Sequence, residues 1–78
     1  MIVRRGVFRS GEYAGWRAEI DDDRADTGGF YLYLIGPERQ GFNTWCETEA
    51  DLRANLAPYD IDWTEGAWEP ASGPYGLT

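Results

Sequence analysis

The sequence predicts an α+β fold in which an antiparallel β-meander of about four or five strands carries one α-helix on one face. Two observations favour this class. Short segments of alternating or continuous apolar residues are separated by glycine-containing turns, as is typical of antiparallel strands. A single later segment, residues 48–59, carries helix start and stop signals instead. The predicted order is β-β-β-β-α-β, in two layers.

The first half of the chain contains the strand signals. Residues 2–9 are rich in β-branched and aromatic side chains, and residues 16–21 alternate, with Trp16, Ala18 and Ile20 on one side. Residues 30–35, FYLYLI, are apolar on both faces, as expected for a strand inside a sheet. A short fourth strand, FNTWCE, follows the turn GPERQG.

One face of the third predicted strand presents Tyr31 and Tyr33. A single helix can cover only one face of a sheet, so this second face needs another cover. The C-terminal tail, a partner or a second copy of the chain are the three options.

The helix prediction depends on its two ends. Thr48 with Asp51 three residues later forms an approximate capping box, and Pro58 ends the segment. Leu52 and Leu56 then share one face at a spacing of four residues.

The closing strand, YDIDWT, alternates again, with Tyr59, Ile61 and Trp63 directed inward. We predict one α+β domain over residues 1–65 and a Gly/Pro-rich tail over residues 66–78.

The composition argues against catalysis. The 78 residues include no histidine, and all seven basic residues are arginine, so histidine-based nucleophile activation and lysine Schiff-base chemistry are excluded. The single cysteine, Cys46, is predicted to be a small buried apolar residue because Glu47 and Glu49 oppose thiolate formation. We therefore expect a non-enzymatic protein without a cofactor. The absence of a signal-peptide pattern predicts a cytoplasmic protein and no membrane contact.

The charge is negative and unevenly distributed. The net charge is −7, and residues 21–78 hold three arginines against twelve acidic residues, a balance of −9. Such a surface repels the phosphates of nucleic acid and speeds encounter with a cationic partner. Plain solubility is the simpler explanation of the same charge.

The stretch EIDDDRADTGG, residues 19–29, is the most unusual segment. We predict a solvent-exposed hairpin connection, in which Gly28 and Gly29 supply positive-φ positions. A calcium loop is a weaker interpretation, because Arg24 occupies a position where a ligand or a small residue is expected. A surface for a basic partner is the third interpretation. The candidate carboxylates are Asp21, Asp22, Asp23 and Asp26.

The candidate partner-binding surface joins this loop to the acidic residues at the helix start and to a tryptophan of the tail. Favourable interaction with the helix dipole is a sufficient structural reason for the helix-start acids. The additional residues are Glu47, Glu49, Asp51 and Trp68.

The segments GGFYLYL, GFNTWCETEADLRANL and IDW contain 26 of the 78 residues. Together with its small size, acidity and aromatic content, this sequence resembles the small acidic immunity proteins of bacterial polymorphic and contact-dependent toxin systems. The resemblance implies inhibition of a cognate toxin, such as a nuclease, by occlusion of its basic active site. Two alternatives stay open: a structural or regulatory interaction module, such as a homodimer through the Tyr31 and Tyr33 face, and a phage-encoded nucleic-acid mimic.

Overall fold

The structure is a computed structural model, and it describes residues 1–66. It confirms the predicted α+β class, with the predicted element order. The elements are β1 (Ile2–Phe8), β2 (Arg17–Asp23), β3 (Gly29–Ile35), β4 (Gly41–Cys46), α1 (Glu49–Leu56) and β5 (Ile61–Glu65). Apart from Gly66, the predicted tail lies outside the described residues, and so does Trp68.

All five strands form one antiparallel sheet in the order β4-β3-β2-β1-β5. The first four strands are joined as consecutive hairpins. The last strand crosses to the far side and pairs with β1, with Phe8 opposite Ile61. The strands β4 and β5 are therefore the two edges, and β3 is an interior strand, as its sequence predicts.

The two sides of the sheet differ in what covers them. The helix packs on one side, which we call the helix face. That side carries the buried side chains of the core: Phe8, Ala18, Ile20, Phe30, Leu32, Leu34 and Cys46. The other side, the open face, carries Tyr31 and Tyr33, both half-buried, whose rings stack with centroids 5.8 Å apart.

Polar side chains border these tyrosines on the open face. The Arg5 guanidinium donates to Glu19 on one neighbouring strand at 3.2 Å and to Glu65 on the other at 3.3 Å. The open face therefore combines aromatic rings with ion pairs, and is not continuously apolar.

The helix begins where its sequence predicts. The Thr48 hydroxyl accepts a hydrogen bond from the Asp51 backbone N–H at 3.0 Å, as an N-cap does. The helix ends at Leu56 with Ala57 as its C-cap, directly before Pro58, the residue predicted to end it. Of its residues only Leu52 is buried.

Aromatic rings cover the part of the helix face that the helix leaves open. Tyr13, from the turn between β1 and β2, lies with its ring centroid 4.9 Å from Trp16 and 6.0 Å from Phe8. Tyr59 meets Phe8 edge-on at 5.2 Å. Trp16 precedes β2 and stacks on Phe42 at 6.0 Å. Pairs of this geometry contribute about 0.5–1.5 kcal/mol each beyond the area they bury.

The two adjacent glycines before β3 have different roles. Gly28 has the predicted positive φ, of 84°. For Gly29 the prediction is wrong, because this residue is the first of β3 and its φ is not positive. A side chain at Gly29 would lie 2.4 Å from the Cys46 carbonyl oxygen and 2.7 Å from the Trp45 ring, so close packing excludes it.

We expect Gly29→Ala to destabilise the domain by about 1–3 kcal/mol, the usual cost of forcing an extra methyl group into a packed site. Urea unfolding followed by tryptophan fluorescence measures the change. Gly41→Ala is the matched control, because its nearest contact would be the Leu34 carbonyl oxygen at 3.2 Å. Equal losses for the two variants would contradict this account of Gly29.

Candidate functional site

The three consecutive aspartates lie in a strand, which corrects the prediction of a loop. Strand β2 continues to Asp23, and Asp21, Asp22 and Asp23 pair with Tyr31, Phe30 and Gly29 of β3. On the other side, the Asp22 backbone N–H donates to the Met1 carbonyl at 2.8 Å. Because side chains alternate along a strand, Asp21 and Asp23 point to the open face and Asp22 to the helix face.

Asp21 is held by two neighbours. Its Oδ2 accepts a hydrogen bond from the Tyr33 hydroxyl at 3.0 Å, and its Oδ1 lies 2.6 Å from the Met1 amine. Burial raises the pKa of Tyr33, and the bond to Asp21 raises it further. Asp21 therefore orders the tyrosine row of the open face.

Asp22 forms a two-point ion pair with Arg24. The guanidinium donates from Nε at 2.9 Å and from Nη2 at 2.7 Å. These bonds are the main reason why the pKa of Asp22 lies below its usual value. The Nη1 atom of Arg24 also lies 3.7 Å from the Glu49 carboxylate. Arg24 thus joins the β2–β3 connection to the start of the helix.

The β2–β3 turn is hydrogen-bonded to β4. The Asp23 carbonyl accepts from the backbone N–H groups of Thr27 at 2.9 Å and Asp26 at 3.1 Å. The Thr27 hydroxyl then accepts from the Trp45 indole N–H at 2.9 Å. Trp45, which is 44% exposed, therefore lies beside the turn on the open face.

The fold gathers acidic residues from two separate segments at one end of the sheet. Seven of the fourteen acidic residues of the chain lie there, and among residues 1–66 Arg24 and the Met1 amine form ion pairs with three of them. Within residues 1–66, four of the seven form no ion pair: Asp23, Asp26, Glu47 and Asp51. We call this region the acidic end; it comprises Asp21, Asp22, Asp23, Asp26, Glu47, Glu49 and Asp51.

A shallow hollow of about 420 Å³ lies at the acidic end, lined by the residues of the turn and by Met1. Its walls carry Asp22, Asp23 and Asp26.

Cys46 is buried, as its sequence context predicts. Its side chain is 1% exposed, and its sulfur accepts from the Asn55 amide at 3.6 Å. Burial raises the pKa of the thiol, and the Asp51 carboxylate raises it further. Both effects disfavour the thiolate, so this cysteine is a packing residue.

Within residues 1–66, no three His, Cys, Asp or Glu side chains are grouped so as to hold a metal ion, which includes the aspartates considered for calcium. The same residues contain no helix with the length and apolar character needed to cross a bilayer.

Two residues important to this site were not among the sequence candidates. Arg24 entered the sequence argument only as an obstacle to calcium, although it is the one basic residue between Arg17 and Arg39. That isolation among acidic residues is the signal that indicates an ion-pairing role. Trp45 gives no comparable signal, because its contact with Thr27 depends on how β4 aligns with β3.

Comparison of the chain with protein-family models, with curated proteins and with solved structures found no match.

We expect Asp22→Asn to change how the stability of the domain depends on pH. The pKa of Asp22 is lower in the folded state, so the unfolded state binds more protons in acid. The stabilisation is therefore present above about pH 4 and is lost as the pH falls through the folded-state pKa. At neutral pH the variant loses about 0.5–1 kcal/mol, as for a partly exposed ion pair, and its stability falls less steeply below pH 4.

Urea unfolding at pH 7, 5, 4 and 3 measures both effects. Asp26→Asn is the control, since it removes the same charge from an exposed residue that forms no ion pair with Arg24 within residues 1–66. Parallel stability curves for wild type and Asp22→Asn would show that the ion pair contributes nothing.

Proposed function

We propose that this protein is a non-enzymatic inhibitor of the immunity type, which binds a basic protein surface through its acidic end and occludes it. A toxin nuclease is the partner class that the sequence resemblance suggests. One observation carries the proposal: carboxylates from the end of β2 and from the helix start, distant in sequence, lie together around Arg24.

The charge of the acidic end suits a cleft that binds phosphate. Asp23, Asp26, Glu47 and Asp51 can each meet a lysine or arginine of the partner. Complementary charge speeds the encounter of two proteins and selects the partner, whereas buried aromatic contacts slow dissociation. Trp45, exposed beside the β2–β3 turn, is the nearest aromatic side chain that can supply such a contact.

The remainder of the site has a supporting role in this proposal. Asp21 and Asp22 are bound to groups of the chain itself, Tyr33 and Arg24. They fix the end of β2 and hold the turn in place, and the partner meets the carboxylates on either side of them. The absence of histidine and lysine accords with a protein that acts by occupying a surface.

A second candidate is a structural or regulatory interaction module that uses the open face. The stacked rings of Tyr31 and Tyr33 favour it, because a flat aromatic pair beside ion pairs is a suitable contact surface. A phage-encoded mimic of nucleic acid that blocks a host nuclease relies on the same acidic end as the first proposal. The identity of the captured partner separates these possibilities.

The direct test is affinity capture of the partner from the native cell, followed by an assay of its activity with and without the purified chain. Inhibition of a basic nuclease at stoichiometric concentration supports the proposal. A neighbouring gene that encodes a secreted protein with a C-terminal toxin domain would supply the first partner to test. Capture of a partner whose activity the chain leaves unchanged would refute the inhibitor function.

With the captured partner, we expect Asp23→Lys combined with Asp26→Lys to slow association at least about tenfold at low salt, because steering by opposite charge is reversed. Stopped-flow mixing at two ionic strengths measures the rate. The control is Glu12→Lys combined with Glu38→Lys, which changes the net charge equally at exposed positions in the turns at the other end of the sheet. If the control slows association equally, only net charge matters and the acidic end is not the site.

A further inference from the structure

The outer edge of β4 is open for strand pairing within residues 1–66, since β3 is the only strand beside it. The hydrogen bonds of the preceding turn reveal which backbone groups face outward. The Gln40 carbonyl accepts from the Gly36 N–H at 2.9 Å, and the Gln40 N–H donates to the Pro37 carbonyl at 3.0 Å, so Gln40 faces β3. Because the direction alternates along a strand, the N–H and C=O groups of Gly41, Asn43 and Trp45 face outward.

The two edges of the sheet differ in charge. Exposed β-edges are normally protected from pairing by charged side chains, by proline or by bulges. The strand β5 carries Asp62 and Glu65, both exposed. Strand β4, Gly41–Cys46, contains no charged residue and no proline, and it displays Phe42 and Trp45, which are 58% and 44% exposed.

We infer that β4 pairs in antiparallel register with β4 of a second copy of the chain, with Asn43 opposite Asn43 on the two-fold axis. Among the antiparallel registers that pair outward groups with outward groups, this one pairs Gly41, Asn43 and Trp45 of each strand. Asn43 of one copy lies opposite Asn43 of the other, and Gly41 of each copy lies opposite Trp45 of the other. Each of these pairs exchanges two backbone hydrogen bonds. The result is one continuous ten-stranded sheet.

The side chains fit this register. Trp45 faces Gly41 of the second copy, which has no side chain to obstruct the indole. Thr44 faces Phe42 on the helix side. Just beyond the strand ends, the register brings Glu47 opposite Arg39 of the second copy, and both side chains are exposed in the single chain. Opposite charges thus face each other at both ends of the paired β4 strands.

Neither the acidic ends nor the helices of the two copies obstruct the pairing. The two β4 strands run in opposite directions, so the two acidic ends lie at opposite ends of the paired strands. The helix packs over β3 and β4. Two such helices, each centred between β3 and β4, would lie about two strand spacings apart, roughly 10 Å, which is the separation at which helices pack against each other.

The pairing differs from a homodimer through the Tyr31 and Tyr33 face, and it does not rest on the proposed function.

The test is sedimentation equilibrium of the full chain, from micromolar to about millimolar concentration, together with two variants. Asn43→Pro removes the central outward N–H, and proline is tolerated at such an edge position. We expect a wild-type dimer and loss of that dimer in Asn43→Pro, with an unchanged far-ultraviolet circular dichroism spectrum. Tyr31→Ser combined with Tyr33→Ser should leave the dimer intact.

Charge exchange and cross-linking keep the inference testable if Asn43→Pro misfolds. Glu47→Arg and Arg39→Glu should each weaken the dimer several-fold, and the double variant should restore it. Asn43→Cys should form an interchain disulfide under mild oxidation, because Cα atoms about 5.5 Å apart suit that bond. Asp62→Cys, on the opposite edge, is the control and should not. A wild-type monomer at about millimolar concentration, or a dimer lost only in the tyrosine variant, would overturn the inference.

Discussion

Covering one face of a five-stranded sheet with a single short helix is the constraint on which the rest of this structure depends. Five strands spaced about 4.8 Å apart form a surface about twice as wide as a helix. The helix, Glu49–Leu56, inserts only Leu52 fully into the core. The remaining area is covered by Tyr13, Trp16 and Tyr59 from the segments between strands. The aromatic residues of the helix face are therefore explained by the needs of the core, before any binding role is considered.

The same constraint explains why the acidic residues are concentrated. The aromatic cluster occupies the end of the sheet that holds the β1–β2 and β3–β4 turns. The opposite end holds the β2–β3 turn and the helix start, where Thr48 caps the helix and its first turn favours carboxylates. Folding thus divides the molecule into an aromatic end and an acidic end. Local helix electrostatics account for part of the charge, and partner recognition is our proposal for the rest.

The fold was largely predictable from the sequence because alternation is a strong signal. Ala18 and Ile20 on one strand and the continuous run in β3 identify the strands, and Thr48 identifies the helix start. The end of β2 was not predictable. Nothing in the run of three aspartates reveals that Met1 and Phe30 pair with Asp22 on both sides and extend the strand.

The candidate site was predictable in composition but not in arrangement. Its acidic residues can be read from the sequence, whereas their meeting around Arg24 depends on tertiary contacts between the β2–β3 connection and α1. The role of Gly29 was hidden for the same reason. A glycine required by a neighbouring backbone and ring is indistinguishable, in sequence, from one required by a turn.

The position of β5 beside β1 has a consequence for the order of assembly. The three hairpins from β1 to β4 form between neighbouring segments, whereas the contact between Arg5 and Glu65 joins the two ends of the described chain. Contacts between distant segments cost more chain entropy and form late. During synthesis, the side of β1 that β5 will occupy stays uncovered until nearly the entire domain has been translated. Until then the nascent chain exposes an edge that carries the cationic side chains Arg4 and Arg5, and β5 later replaces it with an edge that carries carboxylates.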